Sequence, residues 1–291
     1  MTAQWRLNYL GICAIINNMK KKITVFALIL VLGPIVSYTL LVFLVQPSND
    51  RNWSTDQAVL PSAIVKNNLV SIKNIRNFSY TSTSTYTTNY YDKTFDLNKL
   101  KKVWYVVEPF SGYVGAAHTF LSFEFEGDQF VSISVEIRKE KGESFSAFKG
   151  LMRQYELMYV IADERDVVKL RSNYRKDLVY VYPVKADKEK SQTLFLDMIA
   201  RTNKLKDEPE FYNTLTSTCT TNIVDHVNKI TPERVPFGFE ILFPADSDKL
   251  ALEIGLIDTD LSLEKAREKY LINEKAEKYA NDPKFSVRIR E

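Results

Sequence analysis

The side chains best suited to attack or to shuttle a proton near neutral pH are few: two cysteines, Cys13 and Cys219, and two histidines, His118 and His226. A cysteine becomes a nucleophile beside a base, most often histidine. Cys219 follows a Thr/Ser-rich approach, Thr216-Ser217-Thr218, and opens a stretch from Thr218 to Ile230 that closes at Thr231-Pro232. That pattern predicts a helix with the cysteine in its first turn. There the free N–H groups and the positive end of the helix dipole point at the sulfur, which favours a thiolate and offers an oxyanion site. The plain alternative is a buried small hydrophobe.

His226 sits seven residues further along the same helix, ~10.5 Å from the cysteine at 1.5 Å per residue and beyond hydrogen-bond reach. Its expected role is a partly exposed helix position or a supporting contact. His118 is left as the expected base. It begins a strand in which Thr119, Leu121, Phe123 and Phe125 share one face, and His118, Phe120, Ser122 and Glu124 the other. On the following strand Val131, Ile133, Val135 and Ile137 alternate with Ser132, Ser134, Glu136 and Arg138. Pairing the two polar faces places Glu136 or Ser134 beside His118, where a carboxylate would orient the imidazole. The plain readings are an ordinary strand histidine, and an ion pair of Glu136 with Arg138 or Arg76. Two histidines without metal-ligand spacing argue against zinc, and no cofactor motif stands out.

Elements that would position these groups follow from periodicity. Strands are expected at Leu69–Phe78, 103–108, Ala117–Phe125, Phe130–Arg138, Asp166–Leu170 and Leu178–Tyr182, with a hairpin turn at Glu126-Gly127-Asp128-Gln129. The Ser/Thr-rich run Ser79–Asn89 reads as a loop or edge strand. Helices are expected from Ser144 toward Val160, over 188–205, from Thr218, and over Ser262–Ala280, whose charge run is its wet face. Strand hairpins interspersed with helices favour an α+β fold.

Ile23 to Val45 carries no charge in 23 residues, enough to span a ~30 Å hydrocarbon core. Lys20-Lys21-Lys22 precedes it, so the positive-inside rule places residues 1–22 in the cytoplasm and the rest outside. The run exceeds a signal-peptide core, and Phe43-Leu44-Val45-Gln46-Pro47 lacks a small-residue cleavage site, which favours an uncleaved anchor. A polar linker is expected over 46–68 and an outer domain over 69–291. The chain has 39 Lys+Arg and 36 Asp+Glu, and the four basic residues before position 46 account for the excess, leaving the outer part near neutral. That excludes a nucleic-acid partner read from bulk charge. Cys13 falls on the cytoplasmic side, so Cys219 has no disulfide partner outside.

The order of strand histidine, polar residue on the next strand and cysteine at a helix N-terminus resembles the circularly permuted papain-like arrangement of the NlpC/P60 superfamily. Several blocks resemble more narrowly the Lnb N-terminal periplasmic domain family: Asn74-Ile75-Arg76-Asn77-Phe78, Tyr90-Tyr91-Asp92-Lys93-Thr94, His118-Thr119-Phe120-Leu121-Ser122-Phe123, Ser134-Val135-Glu136-Ile137-Arg138, Asp163-Glu164-Arg165-Asp166-Val167, and Phe211-Tyr212-Asn213-Thr214 with Cys219-Thr220-Thr221. The resemblance implies a permuted papain-like domain, an antiparallel sheet packed on helices behind one transmembrane helix in the inner membrane. It implies acyl transfer from a membrane lipid or lipoprotein substrate through a Cys219 thioester, with His118 as base and Glu136 orienting it. Arg138, Arg76, Asn213 and Thr220 would contact substrate. Thr218 departs from the Asn expected immediately before the cysteine, and the single span departs from the several spans of the named transacylases. Rival readings are a cysteine hydrolase, acting as a cell-wall amidase or lipase, and a non-catalytic membrane-tethered binding module.

Overall fold

The computed structural model describes the backbone of residues 2–291 and the side chains of residues 17–291. It divides into two units, residues 1–46 and 47–291. The first is a helix, α1 (Thr2–Leu44). Its portion Asn17–Leu44 is long and apolar enough to cross a membrane, with no part of its apolar window buried against protein. Pro34 lies within the helix. The Cys13 side chain lies outside the described residues.

The second unit is mixed α+β. Its strands are β1 (Ser62–Lys66), β2 (Leu69–Arg76), β3 (Ser79–Tyr80), β4 (Tyr86–Thr87), β5 (Tyr90–Asp96), β6 (Leu100–Pro109), β7 (Ala117–Phe125), β8 (Gln129–Arg138), β9 (Glu156–Ala162) and β10 (Tyr180–Pro183). Its helices are α2 (Ala147–Leu151), α3 (Glu164–Lys169), α4 (Lys188–Asp207), α5 (Cys219–Val227), α6 (Phe239–Leu242), α7 (Ser247–Glu253), α8 (Leu263–Tyr270), α9 (Asn273–Lys278) and α10 (Phe285–Arg288). One sheet runs in the order β1-β2-β9-β8-β7-β6-β10, β5 also pairs with β2, and β3-β4 form a separate small hairpin. The ladders among β9, β8, β7, β6 and β10 are antiparallel. The β7–β8 turn places Gly127 and Asp128 at positive φ, the conformation its Gly-Asp sequence favours.

Both faces of the sheet are covered. Leu121, Phe123 and Phe125 of β7 share a core with Phe195 of α4 and Ile223 of α5. Phe195 meets the rings of Phe123 and Phe125 at 4.8 and 5.5 Å. Phe120, Val106, Met158 and Val160 face the other way, with Val167 of α3, Ala276 of α9 and Phe285 of α10. Polar residues on the centre of the sheet are therefore not on a wet face; they are buried under the second helical layer.

The structure differs from sequence expectation in four places. The segment 144–160 holds only the short α2, and β9, buried along its whole length, starts at Glu156. A strand covered on both faces loses the alternation that would reveal it. Residues 166–170 are helical, in α3 and a π-helical turn over Leu170–Arg175, because Asp163 caps the Arg165 N–H. Residues 262–280 form two helices rather than one, broken where Leu271 bridges to Tyr180 and the Ile272 N–H donates to Val179 O. The expected linker 46–68 is folded: it contains β1, and Asn203 brackets Ala63 with two hydrogen bonds.

A buried ion pair ties the end of β2 to α3. The Arg76 Nε and Nη2 donate to Asp166 at 2.9 Å each, and Asp166 also accepts from the Phe78 N–H (2.8 Å) and the Tyr80 hydroxyl (3.1 Å). Removing one partner of such a pair strands the other charge. Asp166→Ala is expected to destabilise the domain by about 3–5 kcal/mol, read as a fall in the denaturant midpoint at unchanged slope.

Candidate functional site

The pleat of β7 decides the site. His118 and Thr119 are adjacent, so their side chains point to opposite faces. On the second face the His118 Nε2 lies 2.7 Å from Ser134 Oγ and 3.9 Å from Glu136 Oε1. The Ser134 hydroxyl donates to Glu136 Oε1 at 2.9 Å. Its one proton being engaged there, Ser134 accepts from His118, which places the imidazole proton on Nε2. Glu136 also receives Arg171 Nη2 at 3.2 Å. Arg171 in turn pairs with buried Glu108 (2.5 Å), which Arg175 approaches at 3.3 Å.

Burial, with Arg171 adding its positive field, drives the His118 pKa down to about 3 against the pull of Glu136. Burial alone would raise Glu136, but Arg171, Arg76 and His118 hold it at about 2. Burial lifts Glu108 above its ordinary value despite Arg171 and Arg175. The cluster thus holds a neutral imidazole and an ionised carboxylate.

On the first face the α5 helix docks its apolar side against β7. The Thr119 Oγ1 lies 3.0 Å from Thr220 Oγ1, and Thr220 Oγ1 lies 3.7 Å from the Cys219 sulfur. Thr218 caps α5: its Oγ1 accepts from the Thr221 N–H, while the Thr221 Oγ1 accepts from the Thr218 N–H. Threonine thus performs the capping expected of asparagine. Cys219 is half-buried in the first turn. Beside it opens a cavity of about 720 Å³ lined by Tyr105, Leu121, Thr220, Ile223, Val224 and Ile241 among others. The Tyr105 hydroxyl continues to Ser247 Oγ at 2.8 Å.

The expected triad is only partly assembled. Both Glu136 and Ser134 join His118, where the pairing of polar faces called for one or the other. Cys219 stands on the other side of the sheet, because the apolar residues of α5 must land on the apolar face of β7, and that face presents Thr119. Among the described residues no hydrogen bond joins Cys219 to a histidine or a carboxylate. His226 is buried rather than partly exposed, with Nε2 at 2.7 Å from the Tyr159 hydroxyl and Nδ1 at 2.5 Å from Asp197.

The expected substrate contacts are likewise committed elsewhere. Arg76 is held by Asp166 and by Asp56 O. Arg138 donates to Gln57 O, Asn49 Oδ1 and Ala58 O and stacks 4.1 Å from the Trp53 ring. The Asn213 Oδ1 accepts from Leu215 and Thr216 N–H and shapes the turn before α5. Thr220 alone of the four lines the cavity. Arg171, Glu108 and Thr119 carry interactions not anticipated from sequence. Thr119 is visible as the one polar residue among Leu121, Phe123 and Phe125, whereas Arg171 lies just past the expected strand Asp166–Leu170, in a π-helical turn that no sequence signal marks.

Residues 86–247 match the Lnb N-terminal periplasmic domain family, more than half of the chain. The chain belongs to that family. The match includes His118, Glu136, Arg138, Asn213, Cys219 and Thr220 and leaves Arg76 outside. No curated protein and no solved structure matches the chain. A periplasmic domain family together with one N-terminal apolar helix fits a single-pass membrane protein with its folded domain in the periplasm.

Two outcomes follow from this geometry. Iodoacetamide alkylation of Cys219, followed by peptide mass spectrometry, is expected to keep its pH–rate profile within about twofold when His118 is replaced by Gln, since the two groups do not touch; a displaced profile would show that they are coupled. The lowered His118 pKa means that the unfolded chain binds a proton the native one refuses between pH ~6.5 and about 3. Stability is therefore lost as pH falls through that window, by up to ~1.4 kcal/mol per pH unit from this group. His118→Gln is expected to flatten that part of the denaturation-versus-pH curve.

Proposed function

We propose that the periplasmic domain is an acyltransferase acting at the inner membrane, with Cys219 as the acyl carrier and the adjoining cavity as the acyl-chain pocket. The observation that carries this reading is the junction of the two: Thr220 both touches the Cys219 sulfur and lines the apolar cavity. A volume of about 720 Å³ falls among those of small-molecule sites. In the first half-reaction the sulfur attacks a lipid-ester carbonyl, a C–S bond forms and the ester C–O bond breaks. The departing alcohol carries the proton that left the thiol. The first-turn N–H groups of α5 are placed to hold the oxyanion. In the second, an amine attacks the thioester, the acyl group becomes an amide and the thiol is restored. A lipoprotein N-terminus is the acceptor that the family relationship suggests.

His118 enters this scheme as a positioning residue. With Ser134, Glu136 and Arg171 it anchors the β7–β8 hairpin on which α5 rests. A permuted papain-like reading would instead have the imidazole share a face with the cysteine, and the alternation of β7 weighs against it. That same separation favours a second reading, a tethered module that binds acyl chains without forming a covalent bond.

Incubation of the full-length protein with a long-chain acyl-thioester is expected to leave a hydroxylamine-sensitive adduct on Cys219, lost in Cys219→Ser. Val224→Trp, which fills the cavity while sparing the sulfur, is expected to cut the labelling rate about tenfold or more. Saturable acyl binding with no adduct would establish the binding module instead. Release of the adduct to water as readily as to an amine would establish a hydrolase.

A further inference from the structure

Uncharged aromatic and aliphatic side chains project from two neighbouring segments of the outer domain. In the loop between β6 and β7, Tyr113 and Val114 are exposed, and the segment Phe110-Ser111-Gly112-Tyr113-Val114-Gly115-Ala116 carries no charge. Around α6, Phe237, Phe239 and Phe243 are exposed, Phe239 at 77%, and the only charged residue between Val235 and Ala245 is Glu240. The two segments meet. Gly115 lies so close to Phe243 that an added Cβ would stand 3.3 Å from its Cβ. The Ala245 N–H donates to Gly115 O at 3.1 Å, and the Phe239 and Phe243 rings stack at 6.4 Å. A patch of this composition on a soluble surface marks an interaction site.

Two observations choose its occupant. The apolar helix ends at Leu44 and the folded domain begins at Pro47. So short a connection, ~3.5 Å per extended residue, keeps the domain at the bilayer surface. Large aromatic rings without accompanying charge suit the membrane–water interface, where they insert by burial rather than by electrostatic attraction. Beneath the exposed rings, Ile241 of the same turn is buried and lines the cavity beside Cys219.

We infer that Tyr113, Val114, Phe237, Phe239 and Phe243 form a face that inserts into the periplasmic leaflet of the membrane holding α1, with α6 as the wall between lipid and cavity. The inference does not depend on covalent chemistry at Cys219, and it is tested with that sulfur removed. The full chain carrying Cys13→Ser and Cys219→Ser is labelled with the fluorophore NBD at Phe239→Cys, or at Lys278→Cys on the opposite helical layer, and placed in phosphatidylcholine nanodiscs. Lipids bearing an acyl-chain nitroxide are expected to quench the probe at 239 severalfold more than the probe at 278. Aqueous iodide is expected to show the reverse order, and raising the salt concentration to change neither. Repeating the label at Phe243→Cys is expected to give the same ordering. A probe at both positions open to iodide and untouched by the lipid nitroxide would overturn the inference. So would a probe shielded from both quenchers, which would mean that a second copy of the chain covers the face.

Discussion

A carboxylate with almost no access to water, placed in the middle of a sheet, must find its counter-charges inside the protein. Glu108 on β6 is in this position, Glu164 and Asp166 of α3 are buried as deeply against the sheet, and Glu136 on β8 is half-buried; each is met by an arginine, Arg171 for Glu108 and Glu136, Arg290 for Glu164 and Arg76 for Asp166. These contacts fix how the second helical layer lies on the sheet. The π-helical turn delivers Arg171, the C-terminal end delivers Arg290, and β2 delivers Arg76. Breaking any of them leaves a buried charge without its partner, a far larger penalty than the net worth of the pair. This layer carries an electrostatic framework, while the α4–α5 layer on the first face is held by apolar packing.

The division explains how the polar and reactive residues are shared out. Imidazole, serine and glutamate on β7 and β8 belong to the framework, where a hydrogen-bonded chain from Arg171 to His118 holds adjacent strands in register. Cysteine, threonines and the cavity belong to the apolar side. The acyl chemistry proposed at Cys219 would draw on the helix terminus and on the cavity, with the histidine on the opposite face of the sheet. The arrangement accounts for a strand that is polar in sequence on one face and yet buried on both.

Much of this was legible in the sequence. Residues 117–138 read correctly as a hairpin because Leu121, Phe123, Val131 and Ile133 alternate without interruption and Gly127-Asp128 marks the turn. The same alternation predicted Glu136 or Ser134 beside His118, and the fold brings both. The start of α5 was readable from Thr218, while its end at Val227 falls short of the Ile230 expected from the break at Thr231-Pro232. What stayed hidden was non-local. Glu156-Leu157-Met158-Tyr159-Val160-Ile161-Ala162, apolar after its first residue, has no period to distinguish a strand from a buried helix. Arg138 and Arg76 look free in a sequence, and only the fold shows that residues 49–58 and Asp166 occupy them. The assignment of His118 to Cys219 rested on the elimination of His226 and on a resemblance in chain order; the face on which a helix lands is set by apolar matching.

The brevity of the chain between Leu44 and Pro47 bears on kinetics as well as placement. A domain free in the periplasm would meet its partners by diffusion in three dimensions, at a rate set by bulk concentration. One held by so short a connection meets anything residing in the same leaflet by lateral diffusion in two. Its encounter rate then scales with the surface density of that partner, and dilution of the periplasm leaves it unchanged.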